Sequence, residues 1–399
     1  MKQQNISRRQ MLSQTAGGIL GVSLFSATPW IKAFGAAPSY EIMRTAVLSQ
    51  QPNLYYGWPT VGIRENGEIL VVVSGGREDH VCPFGRVDLF RSKDNGQTWT
   101  WPQTIYDGPI DDRDAGILVT AKGTILVTTF TSLAYWDSLK KETELRAKGE
   151  KQWSDERFLR WSSVNDRISE EERNNELGCW MLRSTDGGVN WSERYSSTLN
   201  SPHGPFQLAD GRLLYAGNDL WKQTPNHNTV GVVESKDDGQ TWSFLSDIPY
   251  RPGENDFYYE LHGVEAANGR LIVQIRNHNQ NNNNETLQTE SEDGGLTWTI
   301  PHSIGVWGIP SHLIKMKDGR LLMTYGHRRS PLGNQARISS DNGETWSEPI
   351  FLSQDGTSGD LGYPSTVQLA DQSFLSVWYE RMQEYPKAVL RYAHWKLND

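Results

Sequence analysis

Ser92-Lys93-Asp94-Asn95-Gly96-Gln97-Thr98-Trp99 carries a pattern, SxDxGxxW, that returns at Ser184–Trp191, Ser235–Trp242, Ser291–Trp298 and Ser339–Trp346. Five copies hold serine, aspartate, glycine and tryptophan in one register, so they mark five equivalent places in a repeating fold. The chemistry is that of a turn. An aspartate bonds its own backbone, the glycine accepts positive φ, and the tryptophan anchors the corner by burial. A calcium loop would need further oxygen ligands and a closing glutamate, which no copy supplies.

Working outward, a second repeat lies between the boxes, each copy a strand, a turn and a strand. Its copies run from Trp58 through Asn66-Gly67 to Val73, from Asp112 through Lys122-Gly123 to Thr129, and from Ser201 through Asp210-Gly211 to Gly217. They continue from Glu260 through Asn268-Gly269 to Arg276, from Pro310 through Asp318-Gly319 to Tyr325, and from Tyr363 through Asp371-Gln372 to Tyr379. Asn-Gly and Asp-Gly are strong hairpin signals, and runs such as Ile69–Val73 suit buried strands. Hairpin and box alternate, giving units of four strands with the box between the third and fourth. The sequence therefore predicts an all-β six-bladed β-propeller over residues 40–399. The sixth unit has no box and only three strands, and the stretch Glu41–Leu48 is expected to complete it and close the ring.

In such a blade the Asp-Gly turns and the boxes share one face. The opposite face receives the starts of the inner strands and the second-to-third loops, so a site is expected there. One of those loops is a charged insertion at 132–178, of helical composition in Glu142–Lys148 and Ile168–Arg173. It reads as a solvated surface segment or as a rim or lid, with Trp136, Trp153 and Trp161 as candidate sugar platforms. Cys82 and Cys179 are the two cysteines, on loops of adjacent blades, and are open to either a disulfide or two buried thiols.

A net charge of −9 argues against a general nucleic-acid surface, and no motif calls for a metal or cofactor. Residues 1–35 contain Ser7-Arg8-Arg9-Gln10-Met11-Leu12 ahead of a weakly apolar run. This is the pattern of a twin-arginine export signal, so the export machinery is an expected partner, the processed protein is expected to be free of the membrane, and its location periplasmic or secreted.

The predicted mouth is polar. It collects Arg77, Asp79 and His80, then Asp112, Arg113 and Asp114, His203, Glu260, His262 and Arg276, His312, His327 and Arg328, and Asp360, Tyr363 and Glu380. Six of the nine histidines lie at predicted strand ends on this one face, where a purely structural ring would scatter them, so the mouth reads as a chemical pocket.

Boxes and strand ends together resemble the sialidase superfamily of six-bladed propellers. The resemblance implies an exo-glycosidase in which Tyr363, in Gly362-Tyr363-Pro364-Ser365, is the nucleophile and Glu260 takes its proton, a known exception among glycosidases. Arg276 and Arg328 fall where the family binds a carboxylate, and Asp79 is placed as the acid, with Asp114 or Asp112 as rivals. One departure stands out: the family's Tyr-Arg-Ile-Pro is Tyr56-Gly57-Trp58-Pro59 here. Either Arg113 or Arg77 takes over from the missing arginine, or the sugar is not sialic acid but another acidic or modified one.

Other readings stay open at this point. With an uncharged anomeric carbon, a carboxylate pair among Asp112, Asp114, Glu260 and Glu380 would serve for hydrolysis. A polysaccharide lyase would use His262, His203 or Tyr363 as base and Arg276 on a uronate. A glycan-binding propeller without catalysis is the third.

Overall fold

The computed structural model describes residues 37–221, 230–253, 258–280 and 284–398, so the segment read as an export signal lies outside the described residues. Six four-stranded antiparallel sheets follow one another along the chain as blades. Their inner strands are Tyr55–Ile63, Asp111–Val119, Phe206–Gln207, Tyr258–Glu265, Ser311–Lys315 and Leu361–Gln368, for blades 1 to 6. Blade 6 borrows its outer strand, Tyr40–Val47, from the beginning of the ring, where it pairs with Ala388–Leu397. Both ends of the ring thus meet in one sheet, as the missing sixth box implies.

The second strands are buried on both faces because every blade is packed between two others. Along Ile69–Arg77, Leu70 and Val72 face blade 2 beside Ile117 and Val127, while Val71 and Val73 face blade 6 beside Leu375 and Val377. The same alternation divides Ile125 and Val127 from Leu126, and Leu321 and Met323 from Leu322. Period-two patterning is therefore hidden in these runs, since both alternating sets are apolar. Each such side chain contributes about 1.5–3 kcal/mol on burial.

Each box closes a corner and docks it onto the preceding blade. In the first, Ser92 Oγ donates to Asp94 Oδ1 at 2.8 Å and accepts from the Gly96 N–H at 2.9 Å. Gly96 has φ of 80°, and a Cβ placed there would lie 2.4 Å from Leu375 of blade 6, so glycine is required by conformation and by contact. The tryptophan of the fifth box is buried, with its Nε1 donating to Gln288 Oε1 of blade 4 at 3.1 Å.

The insertion of blade 2 folds as α1 (Trp136–Ala147), α2 (Asp155–Asn165) and α3 (Glu170–Asn175). Ser154 caps α2, and Ser169 with Glu172 forms a capping box on α3. The helices clamp the blade 1 loop Glu78–Gly85 through a cluster of Cys82, Tyr135, Leu139 and Trp161, with Trp153 and Phe84 at its margin. The tryptophans accordingly pack within the insertion, Trp161 buried and Trp136 and Trp153 half-buried. Trp161 has the Trp153 ring edge-on 4.7 Å from it, and Trp136 lies under the Arg173 guanidinium. Cys82 and Cys179 are both buried free thiols. Among the described residues no helix is long and apolar enough to cross a membrane.

Candidate functional site

Three inner strands reach the axis through the same irregularity. Trp58, Asp114 and Tyr363 have φ of 57°, 48° and 55°. Each sits where ladder pairing skips, between Gly57 and Thr60, Arg113 and Gly116, and Gly362 and Ser365. A bulge re-aims the side chain it carries, and L-residues avoid this backbone region by roughly 1–2 kcal/mol, so packing in the ring must hold all three.

Tyr363 and Glu260 meet across the axis from blades 6 and 4. The Tyr363 hydroxyl donates to Glu260 Oε1, and Arg276 Nη1 donates to Glu260 Oε2 at 2.6 Å and to the Tyr363 oxygen at 2.8 Å. Glu260 occupies the ladder irregularity of the blade 4 inner strand, between Tyr258 and Leu261, facing Arg276 on the neighbouring strand. From blade 5, Arg328 lies 5.8 Å from the centre of the Tyr363 ring and is fixed by its Nε bond to the Leu361 carbonyl at 2.9 Å. Burial raises the Tyr363 hydroxyl well above its ordinary pKa, with Glu260 and Asp114 adding to the rise and Arg276 and Arg328 opposing it.

Asp114 completes the group from blade 2. It is 7% exposed, and its Oδ1 has no hydrogen-bond partner among the described residues. Burial pushes its carboxyl up to about 7, against the Arg113 guanidinium and with the help of the Glu260 charge. A carboxyl that keeps its proton near neutrality beside a Tyr–Glu–Arg cluster is suited to donate it. Arg113 lies 4.5 Å from the Trp58 ring and 3.7 Å from Asp111.

Several predicted site residues are placed elsewhere. Arg77 is fully buried in a two-pronged pair with Asp111, at 2.6 and 3.0 Å, so it is not available to replace the missing arginine. Asp112 is parted from Asp114 by the ladder irregularity after Arg113 and accepts the Gly108 N–H at 2.6 Å. Glu380 alternates away from Tyr379 and is held by Trp378 Nε1 and Arg391 at 2.7 and 2.6 Å. Both acids are structural. Asp79 is 43% exposed and pairs with Arg381 at 2.6 Å, at a lip joining blades 1 and 6, rather than joining Tyr363 and Glu260. His327 is turned onto its own loop at the Pro331 carbonyl.

The histidines form a layer of their own. His262 and His312 stack 4.5 Å apart with His203 at 5.0 Å from His312, and burial drives all three below the ordinary range. Their Nδ1 atoms serve the fold, as where His262 accepts the Leu313 N–H at 3.0 Å. The layer is a neutral plug beside Tyr363, whose ring is 6.3 Å from His203.

Trp58 is the residue that sequence reading missed. It is 2% exposed, with its ring 6.4 Å from Tyr363 and 5.8 Å from Tyr379. The shared X-Pro step, Trp58-Pro59 and Tyr363-Pro364, was the available signal that both occupy one blade position.

The profile of the BNR repeat-like domain matches residues 45–259 and 259–376. A sialidase of Paraclostridium sordellii is 24% identical over 280 residues, 65% of this chain and 62% of that protein. A sialidase of Micromonospora viridifaciens is 24% identical over 203 residues, 43% of this chain and 31% of its own length. The chain thus spans less than two thirds of these curated relatives. Among solved structures, a protein of unknown function from Dyadobacter fermentans superposes with a TM-score of 0.72 at 23% identity, covering 91% of this chain and 100% of that one. The NanB sialidase of Streptococcus pneumoniae superposes with 0.60 at 14% identity, over 90% and 71% of the two chains. Box corners, ring closure by both chain ends and these matches lead to one conclusion: the chain belongs to the BNR repeat-like family and has the six-bladed propeller fold of the sialidases.

Proposed function

We propose that this protein is an exported exo-glycosidase that removes a terminal acidic or modified sugar from a glycan. The observation that carries this reading is the shared hydrogen bonding of Tyr363, Glu260 and Arg276. Glu260 accepts the hydroxyl proton as the Tyr363 oxygen attacks the anomeric carbon, and Asp114 passes its proton to the departing glycosidic oxygen. In the second step Asp114, now ionised, takes a proton from water, the water oxygen bonds to the anomeric carbon as the bond from that carbon to the Tyr363 oxygen breaks, and Glu260 returns its proton to that oxygen. Arg328 is the guanidinium left to meet an anionic substituent, since among the described residues it has no ion pair. Of the three groups from which a lyase would draw its base, His203 and His262 are buried in the histidine layer, which leaves only Tyr363, whose hydroxyl is already bonded to Glu260 and Arg276.

Aryl sialoside, fucoside, rhamnoside and glucuronide, assayed with product analysis, test the reading. Hydrolysis of one of them, lost in Tyr363→Phe, is expected; full activity in that variant, or unsaturated products, overturns it. Export belongs to the same proposal and rests on residues 1–35. Transport of a reporter fused to them should fail when Arg8 and Arg9 are both changed to lysine.

A further inference from the structure

On the face that carries Tyr363, a second cleft of ≈ 440 Å³ opens between the blade 1 loop, the link from blade 1 to blade 2 and helix α2. Its size lies within the roughly 300–1,000 Å³ of small-molecule sites. The walls are fixed before any ligand arrives. Glu78 accepts Arg160 Nη2 at 2.5 Å and Trp161 Nε1 at 3.0 Å, binding α2 to blade 1, and Arg167 Nη2 reaches the Pro109 carbonyl at 3.3 Å.

The lining combines two kinds of surface. Leu54 and Phe84 offer apolar area, while Asp107 and Arg167 are exposed charged groups with no ion-pair partner among the described residues. Opposite charges in one cleft do not select an anion or a cation, but they donate to and accept from hydroxyls, and the apolar patches cover C–H faces. That combination fits a sugar ring. The cleft is also close to the candidate active centre: Arg77 lines it, the Arg77 guanidinium is 5.1 Å from the Trp58 ring, and that ring is 6.4 Å from Tyr363. Arg77 and Trp58 are both buried, so they form the wall that the cleft and the Tyr363 cluster share.

We infer that this rim cleft is a distal glycan subsite, holding a sugar unit of the substrate beyond the bond that is cleaved. The inference rests on the exo-glycosidase reading for its kinetics but has a binding test of its own. Asp107→Ala and Arg167→Ala alter exposed side chains and leave the Tyr363 cluster untouched. Each should lower kcat/KM about tenfold for a trisaccharide bearing the cleaved sugar, by loss of charged hydrogen bonds, and leave the aryl glycoside of that sugar unchanged. Equal losses on both substrates, or no loss on either, overturn the subsite. A printed glycan array probed with Tyr363→Phe protein separates the two proposals. Retention of extended glycans that disappears when Arg167→Ala is added supports the subsite even if no aryl glycoside is hydrolysed; an unchanged or blank array overturns it.

Discussion

Replacing Asp114 by asparagine should stabilise the protein and inactivate it, with both effects depending on pH. The folded carboxyl titrates at about 7 against an ordinary 3.8, a rise of about three units that corresponds to on the order of 4 kcal/mol. The sign follows from proton binding. Between those two values the folded state holds a proton that the unfolded chain has released, so this group's contribution to stability falls as pH rises through the window. Below pH 4 both states are protonated and the contribution is nil; above pH 7 the full penalty of a buried charge applies. Asp114→Asn has no such charge, so its stability relative to the parent should grow from near zero at pH 4 to at most about 4 kcal/mol at pH 8. Urea unfolding followed by tryptophan fluorescence at one-unit pH steps measures it. In the parent, kcat/KM should fall tenfold per unit above pH 7 as the donor proton is lost, and the variant should lose at least ~10²-fold at pH 6. A stability difference that stays flat across pH would refute the argument that burial holds the proton on Asp114.

Tyr363→Phe keeps the ring and its packing, so unfolding should change little while turnover drops by ~10²-fold or more in steady-state assays. Glu260→Gln removes the carboxylate that balances Arg276 in a mostly buried place, and a loss of about 3 kcal/mol in denaturant stability is expected alongside lost turnover. Gly96→Ala forces a Cβ onto Leu375 at a φ of 80° and should cost about 1–3 kcal/mol with KM unchanged, because the box faces away from the site. Trp58→Ala leaves a cavity beside Tyr363, and a cost of about 3–5 kcal/mol is expected, read as a lowered midpoint of thermal unfolding.

The sequence by itself determined the number of blades, their order, the closure of the ring by Glu41–Leu48 and the face to which the candidate residues belong. Those features are local: Asp94 and Gly96 act on their own turn, and a turn of given type fixes where the next strand begins. It also placed Glu260 opposite Arg276, since a hairpin's register follows from its turn. What only the tertiary structure decided was which members of each acidic or basic run face the axis. Asp112 and Asp114 are two positions apart and would share a face of a regular strand, but the irregularity after Arg113 and the positive φ of Asp114 send one outward and the other to Tyr363. Arg77 looked available until Asp111 of the next blade met it, and Glu380 until Arg391 did. Partners of that kind come from other strands, and strand-end chemistry cannot be assigned before the ring has brought them together.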